Sequence, residues 1–268
     1  MPKMSKKLKT SPKYLFDALS LPEDILSLNK RVALLLDYDG TLVPIRKSPG
    51  SAALPFKITE LLGSLARKPG VSVCIVSGRA LGDIKRIAGV RGLSYIANHG
   101  FEVWHRGSGW RHPELKKITP FLKKARDILK ETLIDVEGVL IEDKIYTLSV
   151  HYRRAPGGSL PFIRKAVYSA ALCGPLRVRK GKKVFEIRPD IDWDKGAAVM
   201  KWTKISKTCD ALKIYIGDDE TDEDAFRAIG ETGITVKVGR KATLAGSCLR
   251  NHKDVWAFLT VLDRALSA

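Results

Sequence analysis

The chain has 268 residues, of which 44% are apolar and 28% charged, as expected for one large or two modest globular domains. No stretch reaches the roughly 18 to 20 apolar residues of a membrane-spanning helix, and the four scattered cysteines form no C-x-x-C pair, which argues against a membrane span, a cysteine metal site and a disulfide framework. The formal net charge of +18 makes nucleic acid the first partner to consider.

Apolar, β-branched-rich runs predict five strands, most of which end in a polar cluster. These runs cover 32–40, 71–79, 93–100, 212–220 and 233–239. Helical patterns accompany them at 58–68, 81–89, 195–206 and 254–268. Continuous apolar runs indicate strands buried on both faces, and the alternation of strands with helices is typical of a doubly wound sheet. The sequence therefore predicts an α/β fold with a mostly parallel, Rossmann-like core.

Residues 107–189 break this rhythm and predict a smaller inserted α/β domain. Its patterns indicate helices and strands at 118–133, 138–153, 160–173 and 176–189. These two strands alternate apolar and polar residues more regularly, which favours a sheet with one polar face. We therefore expect a core formed by 1–106 and 190–268 and a second domain formed by 107–189.

The inserted segment also holds over half of the excess positive charge. Residues 107–189 contain 18 Lys and Arg against 8 Asp and Glu, a net charge of +10. This charge is compatible with a solvated surface, with a wall that attracts an anionic small substrate, or with adventitious nucleic-acid binding. The sequence lacks zinc-finger spacing, an RNA-binding aromatic signature and a Walker-type phosphate loop. We therefore do not expect nucleic acid as the functional partner.

The sequence favours a cytoplasmic location and no membrane partner. Residues 1–16 are basic but are followed by neither an apolar stretch nor a small-residue cleavage site, so they do not resemble a secretory signal. Unpaired cysteines fit a reducing compartment.

Polar side chains follow the predicted strands where each strand ends. They are Asp37 and Asp39, Ser77 and Arg79, Asn98 and His99, and Asp218 and Asp219. In open α/β sheets, ligands bind beyond the carboxyl ends of the strands. Asp37 and Asp39 lie two residues apart, so in an extended chain both side chains are expected to face the same small volume. Like charges that close cost energy unless a cation, a shared proton or a substrate accounts for them.

The acidic string at 217–226 has a structural explanation for part of its charge. Thr221 occupies a candidate helix N-cap position, and the acids at 222–224 lie in a first helical turn, where the helix dipole favours them. Asp218 and Asp219, at the end of the strand, are left unexplained.

Together these residues predict metal-assisted phosphoryl transfer. Carboxylates from two strands form the hard oxygen site that Mg²⁺ prefers. One carboxylate can act as a nucleophile, while its neighbour donates a proton to the leaving oxygen and later accepts one from water. The Ser77 hydroxyl and Lys195, near a helix N-terminus, are expected to hold other phosphoryl oxygens.

Four motifs, "DYDGTL", "SGR", "WDKGAA" and "GDD", resemble in order and spacing those of the haloacid dehalogenase superfamily of phosphatases. The resemblance implies that Asp37 is the nucleophile and Asp39 the general acid/base. It also implies phosphate contacts from Thr41 and Ser77 and a stabilising role for Lys195.

The same resemblance implies a Mg²⁺ cofactor and its ligands. Mg²⁺ would be held by Asp37, the main-chain carbonyl of Asp39 and Asp218, with Asp219 and Asp222 close by.

Longer stretches resemble trehalose-6-phosphate phosphatases, above all "GKKVFEIRP" and "GDDETDEDAF", with "NHG" and "HYR". In that family the inserted domain is a cap that reads a phosphorylated disaccharide. The resemblance implies substrate contacts from Arg79, Glu142, Lys144, Arg153, Lys182 and Glu186. Strict alternation from Glu142 places His151 and Arg153 on the opposite strand face, so a bulge or a strand end must intervene.

Two alternatives remain open. The first is a phosphatase of the same architecture that acts on sucrose 6-phosphate, mannosyl-phosphoglycerate or a hexose phosphate. The second is a regulatory or nucleic-acid-binding protein without activity, against which the intact acid/base and metal residues argue. A functional link to a trehalose-phosphate synthase is a further expectation from the resemblance.

Overall fold

The computed structural model describes residues 11–18, 31–45 and 52–267. The chain divides into two compact units, one formed by Met1–Trp110 and Trp193–Ala268 and the other by Arg111–Asp192. The boundaries predicted from the sequence lie a few residues earlier, after 106 and after 189. The role of the smaller unit as a cap stays a prediction.

Thirteen strands and eight α-helices lie within the described residues. The strands are β1 (Lys13–Tyr14), β2 (Val32–Asp37), β3 (Val71–Val76), β4 (Ser94–Ala97), β5 (Glu102–His105), β6 (Ser108–Arg111), β7 (Leu140–Asp143), β8 (Leu148–His151), β9 (Leu176–Gly181), β10 (Val184–Pro189), β11 (Leu212–Gly217), β12 (Gly233–Val238) and β13 (Ser247–Leu249). The helices are α1 (Leu15–Ala18), α2 (Phe56–Arg67), α3 (Leu81–Ala88), α4 (Leu115–Thr132), α5 (Leu160–Ala171), α6 (Lys195–Ile205), α7 (Asp222–Ile229) and α8 (His252–Ala265).

The larger unit is built on a nine-stranded sheet. Its strand order is β1-β13-β12-β11-β2-β3-β4-β5-β6. Neighbours from β1 to β4 are parallel, and β4 pairs with β5 antiparallel. The chain progresses outward from β2 through β3 and β4 and then resumes on the other side of β2 at β11. Ligands of open α/β sheets bind at such a reversal of strand order.

The central strand β2 is buried on both faces. Leu34 and Leu36 pack in the layer that contains the apolar faces of α2, α3 and α8. Ala33 and Leu35 pack in the opposite layer, with residues of α6 and α7. The doubly wound α/β fold predicted from the sequence is therefore confirmed.

Three of the four predicted strands that carry a polar cluster end just before it, and the first ends at Asp37, the first residue of its cluster. The strand predicted at 32–40 stops at Asp37, and the strand predicted at 212–220 stops at Gly217. Asp39, Ser77 and Asp218 therefore lie on loops beyond the sheet edge.

The smaller unit contains an antiparallel sheet of order β7-β8-β10-β9 together with α4 and α5. The prediction of two long strands here is wrong, because each stretch folds as a hairpin. The chain turns between β7 and β8 where Lys144 N donates to Thr147 O at 2.9 Å, and between β9 and β10 at Lys182 and Lys183. A two-residue turn places residues an odd number apart on one face, such as Glu142 and Ser149, so the alternation of side chains shifts by one residue across it.

β9 is one edge of the smaller sheet, and it carries Arg177, Arg179 and Lys180. Of the helices within the described ranges, none combines the length and hydropathy that crossing a bilayer requires. The cytoplasmic location stays a prediction.

Ile214→Ala, in the buried middle of β11, is expected to lower the free energy of unfolding by about 3 kcal/mol, because it leaves a cavity between the sheet and the layer of α2, α3 and α8. Ile45→Ala removes the same atoms from a side chain that is 55% exposed and is expected to cost less than about 0.5 kcal/mol. Chemical denaturation followed by circular dichroism measures both. Equal losses would contradict the burial assigned to Ile214.

Candidate active site

Asp37, the last residue of β2, lies beside a buried lysine. Lys195 is the first residue of α6 and is 4% exposed. Its Nζ donates to Asp37 Oδ1 at 2.8 Å and to Asp222 Oδ1 at 2.7 Å. One ammonium group therefore connects the end of the central strand with the first residue of α7.

Asp222 is fully buried and held from three sides. Its Oδ1 also accepts from the Tyr215 hydroxyl at 2.8 Å, and its Oδ2 accepts from Asp219 N at 2.9 Å. A Cβ on Gly217 would lie 2.3 Å from Asp222 Cγ, so the absence of a side chain at residue 217 permits this approach. Asp222 therefore belongs to the candidate site. The helix dipole, which was used to explain its charge, does not account for these contacts.

Thr221 does not cap α7. Its backbone is helical, with φ −69° and ψ −16°, and its side chain makes no capping hydrogen bond. The predicted cap is therefore wrong.

The carboxylate of Asp218 lies against the loop that follows β2. Gly40 has φ +100°, and a Cβ at this residue would lie 2.1 Å from Asp218 Oδ2. Thr41 Oγ1 donates to Asp218 Oδ1 at 3.4 Å. Glycine is required at residue 40 both by the left-handed backbone and by the approach of the carboxylate.

Asp37, Asp218 and Asp222 form a compact carboxylate group. Each offers an oxygen atom, and the three atoms lie within 4.8 Å of one another. Within the described residues this group does not include the side chain of Asp219, which was expected close to the metal, or that of Asp39, for which only the main-chain carbonyl was predicted as a ligand. Asp219 is exposed and accepts from Glu220 N at 2.6 Å.

This group carries more negative charge than Lys195 balances. Burial raises the pKa of Asp37 above its ordinary range, although Lys195 opposes the rise. Burial and the charge of Asp222 raise the pKa of Asp218 to about 6. Burial alone would lower the pKa of Lys195, but Asp222 and Asp37 outweigh it and the pKa rises. Three close oxygen donors with excess negative charge fit a hard divalent cation such as Mg²⁺.

Asp39 faces a different cation. Arg79 binds it with a fork in which Nε donates to Oδ2 and Nη2 donates to Oδ1, each at 2.7 Å. Asp39 is thus bound by Arg79 and is not part of the carboxylate group around Asp37, since β2 ends at Asp37 and the chain turns immediately afterwards. Each carboxylate has its own cation.

The loops that follow β3 and β4 support each other. Asn98 N donates to Arg79 O at 2.8 Å, and His99 N donates to Ser77 O at 3.2 Å. Gly78 packs against the imidazole of His99, where a Cβ would lie 2.2 Å from Cε1. Ser77 is buried, and its Oγ accepts from Arg79 N at 3.1 Å. Ser77 and Arg79 thus have a fixed backbone.

In the smaller unit, three of the predicted substrate residues lie on one sheet face. Glu142 and Glu186 are each opposite Ser149 in the strand register. Lys144 Nζ lies 3.9 Å from a carboxylate oxygen of each glutamate. His151 Nε2 lies 2.9 Å from Glu142 Oε2, on the same face, because the β7–β8 hairpin reverses the chain. The hairpin takes the place of the bulge that the single-strand prediction required.

Lys182 and Arg153 lie outside this cluster. Lys182 is in the turn between β9 and β10, and Arg153 follows the end of β8. Both are exposed, and Arg153 Nη2 donates to Lys182 O at 3.3 Å. Their predicted contact with substrate rests on the resemblance alone.

The trehalose-phosphatase family matches residues 35–258 of this chain, which include every candidate site residue described above. The chain belongs to the trehalose-phosphatase family. Trehalose-phosphate phosphatase of Mycobacterium tuberculosis is 34% identical over 258 residues, which cover 93% of this chain and 65% of the relative. The chain thus spans less than two thirds of that relative.

Further family members agree with this assignment. Trehalose-phosphate phosphatase B of Arabidopsis thaliana is 31% identical over 261 residues, covering 90% of this chain and 69% of the relative. The C-terminal domain of C. albicans trehalose-6-phosphate phosphatase has a TM-score of 0.79 at 25% identity, covering 96% of this chain and 99% of that one.

From the sequence, Asp222 was expected only to lie close to the metal, and Asp83 was not identified. Asp222 is preceded by Gly217, and a glycine at the end of a buried strand is a signal of close approach. Asp83 lies four residues after Arg79, a spacing that places two side chains on one side of a helical turn.

Asp218→Asn is expected to raise the Tm of EDTA-treated protein at about pH 7.5. The folded-state pKa of about 6 exceeds the ordinary value of 3.8, so the parent loses stability as the pH rises from about 4 to about 6, by about 3 kcal/mol. The amide carries no such charge.

Thermal unfolding at about pH 5 and about pH 7.5 tests this prediction, since the difference from the parent must shrink at the lower pH. Asp219→Asn, at the exposed neighbouring acid, is the control and is expected to leave the Tm unchanged. A lower Tm for Asp218→Asn at the higher pH would contradict the charge excess.

Proposed function

We propose that this chain is a Mg²⁺-dependent phosphatase of the haloacid dehalogenase type that hydrolyses trehalose 6-phosphate to trehalose and phosphate. One observation carries the proposal. Asp37 lies at the strand-order reversal of the sheet, bound by Lys195 and next to two further carboxylates. Membership of the trehalose-phosphatase family supports the substrate.

In the first step, Asp37 attacks the phosphorus atom of the ester. Lys195 binds Asp37 Oδ1, so we assign the attack to Oδ2. A bond forms between Oδ2 and phosphorus, and the bond between phosphorus and the sugar oxygen breaks. Asp39 gives a proton to the leaving oxygen, which departs as a hydroxyl of trehalose.

In the second step, water regenerates the enzyme. Asp39 takes a proton from the water, whose oxygen attacks phosphorus and displaces the Asp37 carboxylate. The products are inorganic phosphate and free Asp37. The Lys195 ammonium stabilises negative charge next to Asp37 in both steps, and Thr41 and Ser77 contribute phosphate contacts from the adjoining loops.

The residues that would hold Mg²⁺ are Asp37 and Asp218, with the main-chain carbonyl of Asp39. Asp222 completes the carboxylate group, and we prefer it to the exposed Asp219 as the nearby acid. When bound, the ion neutralises charge on the phosphoryl oxygens and on the crowded carboxylates.

The smaller unit is proposed as the cap that reads the sugar. Glu142, Lys144 and Glu186 form a face with both acceptors and donors for sugar hydroxyls. Arg153 and Lys182 are proposed as outer contacts, and Arg79 as a contact from the core. The link to a trehalose-phosphate synthase stays a prediction.

The proposal is tested by Mg²⁺-dependent phosphate release from trehalose 6-phosphate, sucrose 6-phosphate and glucose 6-phosphate. We expect strong preference for trehalose 6-phosphate and loss of turnover in EDTA.

Asp37→Asn is expected to retain under about 1% of the parental kcat with an unchanged circular dichroism spectrum, because it removes the nucleophile and nearly preserves volume. Preference for another ester would reject the substrate but keep the chemistry, while activity of Asp37→Asn would reject the nucleophile.

Asp39→Asn is expected to lower kcat most for esters with poor leaving groups. A sugar alkoxide needs a proton as it departs, whereas p-nitrophenolate does not, so kcat should fall by about 10² to 10⁴ for trehalose 6-phosphate and far less for p-nitrophenyl phosphate. Steady-state rates with both esters measure the difference. Equal losses would argue against proton donation by Asp39.

A further inference from the structure

Four side chains of alternating charge lie in a row from the surface to the proposed acid/base. Arg86 Nη2 donates to Asp83 Oδ1 at 2.6 Å, and Arg79 Nη1 donates to Asp83 Oδ2 at 2.9 Å. The other two nitrogen atoms of Arg79 bind Asp39. The guanidinium of Arg79 thus joins two carboxylates, only one of which has a role in the proposed reaction.

Asp83 fixes the orientation of this guanidinium. A fork of Nε and Nη2 binds a carboxylate well only when the plane of the guanidinium matches it. Asp83 holds the third nitrogen, so the group cannot turn about its long axis. The Arg79 side chain is 10% exposed and lies over the ring of Tyr38, with Cζ 5.9 Å from the ring centroid.

Asp83 is itself on a rigid support. It is the third residue of α3, and the next residue, Ile84, is fully buried in the core. A carboxylate on a packed helix is a better anchor than one on a loop. Arg86, by contrast, has a side chain that is 68% exposed, and an exposed ion pair contributes little.

We infer that Asp83 is a positioning residue that acts through Arg79 to hold Asp39 in place for proton transfer. The inference rests on the proposed function and adds a residue that does not touch the substrate. Because Asp83 acts only through Asp39, its loss must slow the same step that loss of Asp39 slows.

The test compares Asp83→Ala with a matched variant, Asp263→Ala. Asp263 is also a carboxylate in a helix of the larger unit, with Ser64 Oγ at 2.9 Å and Lys68 Nζ at 3.4 Å. Its side chain is 22% exposed, against 28% for Asp83. Both variants lose an ion pair and similar stability, and alanine suits a helix in both.

For Asp83→Ala we expect kcat with trehalose 6-phosphate to fall about tenfold with KM changed less than about twofold, because misplacing a proton donor affects the chemical step. With p-nitrophenyl phosphate the expected fall is less than about twofold. Asp263→Ala is expected to change neither rate by more than about twofold.

The decisive measurement is the double variant Asp39→Asn with Asp83→Ala. If Asp83 acts through Asp39, the double variant is no slower than Asp39→Asn alone. The inference would be overturned if the two losses in kcat multiplied in the double variant, or if Asp83→Ala slowed both esters equally. In either case an active parent enzyme would leave the proposed function intact. A parent without Asp37-dependent turnover would overturn both.

Discussion

The larger unit depends on one buried ammonium group, that of Lys195, between Asp37 and Asp222. Each charge removed from water costs several kcal/mol, and the cost is offset only where the partners are well placed and hydrogen-bonded. The ends of β2, α6 and α7 must therefore meet at one point. Gly196 permits this meeting, since a Cβ there would lie 2.4 Å from Asp224 O in α7. The requirement for glycine at this helix start follows from the ion pair.

The carboxylate group around Lys195 lowers the stability of the folded chain, although the proposed chemistry requires it. A single lysine beside two buried carboxylates and one partly buried carboxylate leaves the folded protein with negative charge that an apolar core would not carry. In sites that bind a cation and a dianion, the bound ligands stabilise the folded state. Without those ligands, the side chains of such sites can lower the stability of the chain. Apolar packing on both sides of the sheet offsets the free-energy cost of this buried charge. Trp202 and Phe258 are among the largest fully buried side chains in these layers.

Much of the fold was predictable because its signals are local. Continuous apolar runs mark β2 and β11, and helical periodicity marks α2 and α6, so the doubly wound core follows from the sequence. The hairpins β7–β8 and β9–β10 were missed because their two-residue turns, Ile145-Tyr146 and Lys182-Lys183, contain none of the Asn-Gly or Asp-Gly pairs that mark such turns in a sequence. Asp222 was obscured because a valid local explanation, the helix dipole, accounted for its charge. Where Asp39 points was not predictable, because it depends on where β2 ends and on the position of Arg79, 40 residues away in the chain.

The charged edge strand β9 bears on how the smaller unit behaves beside other copies of itself. An edge strand presents unpaired backbone groups to any extended chain that approaches, and like charges along it oppose such pairing. Arg179 and Lys180 are exposed on β9, and Lys182 and Lys183 follow at its end. Part of the basic excess that first suggested a polyanionic partner therefore keeps two sheets from joining. This charge repulsion between copies does not depend on substrate concentration. High salt would screen it, and the result would be aggregation rather than a change in catalysis.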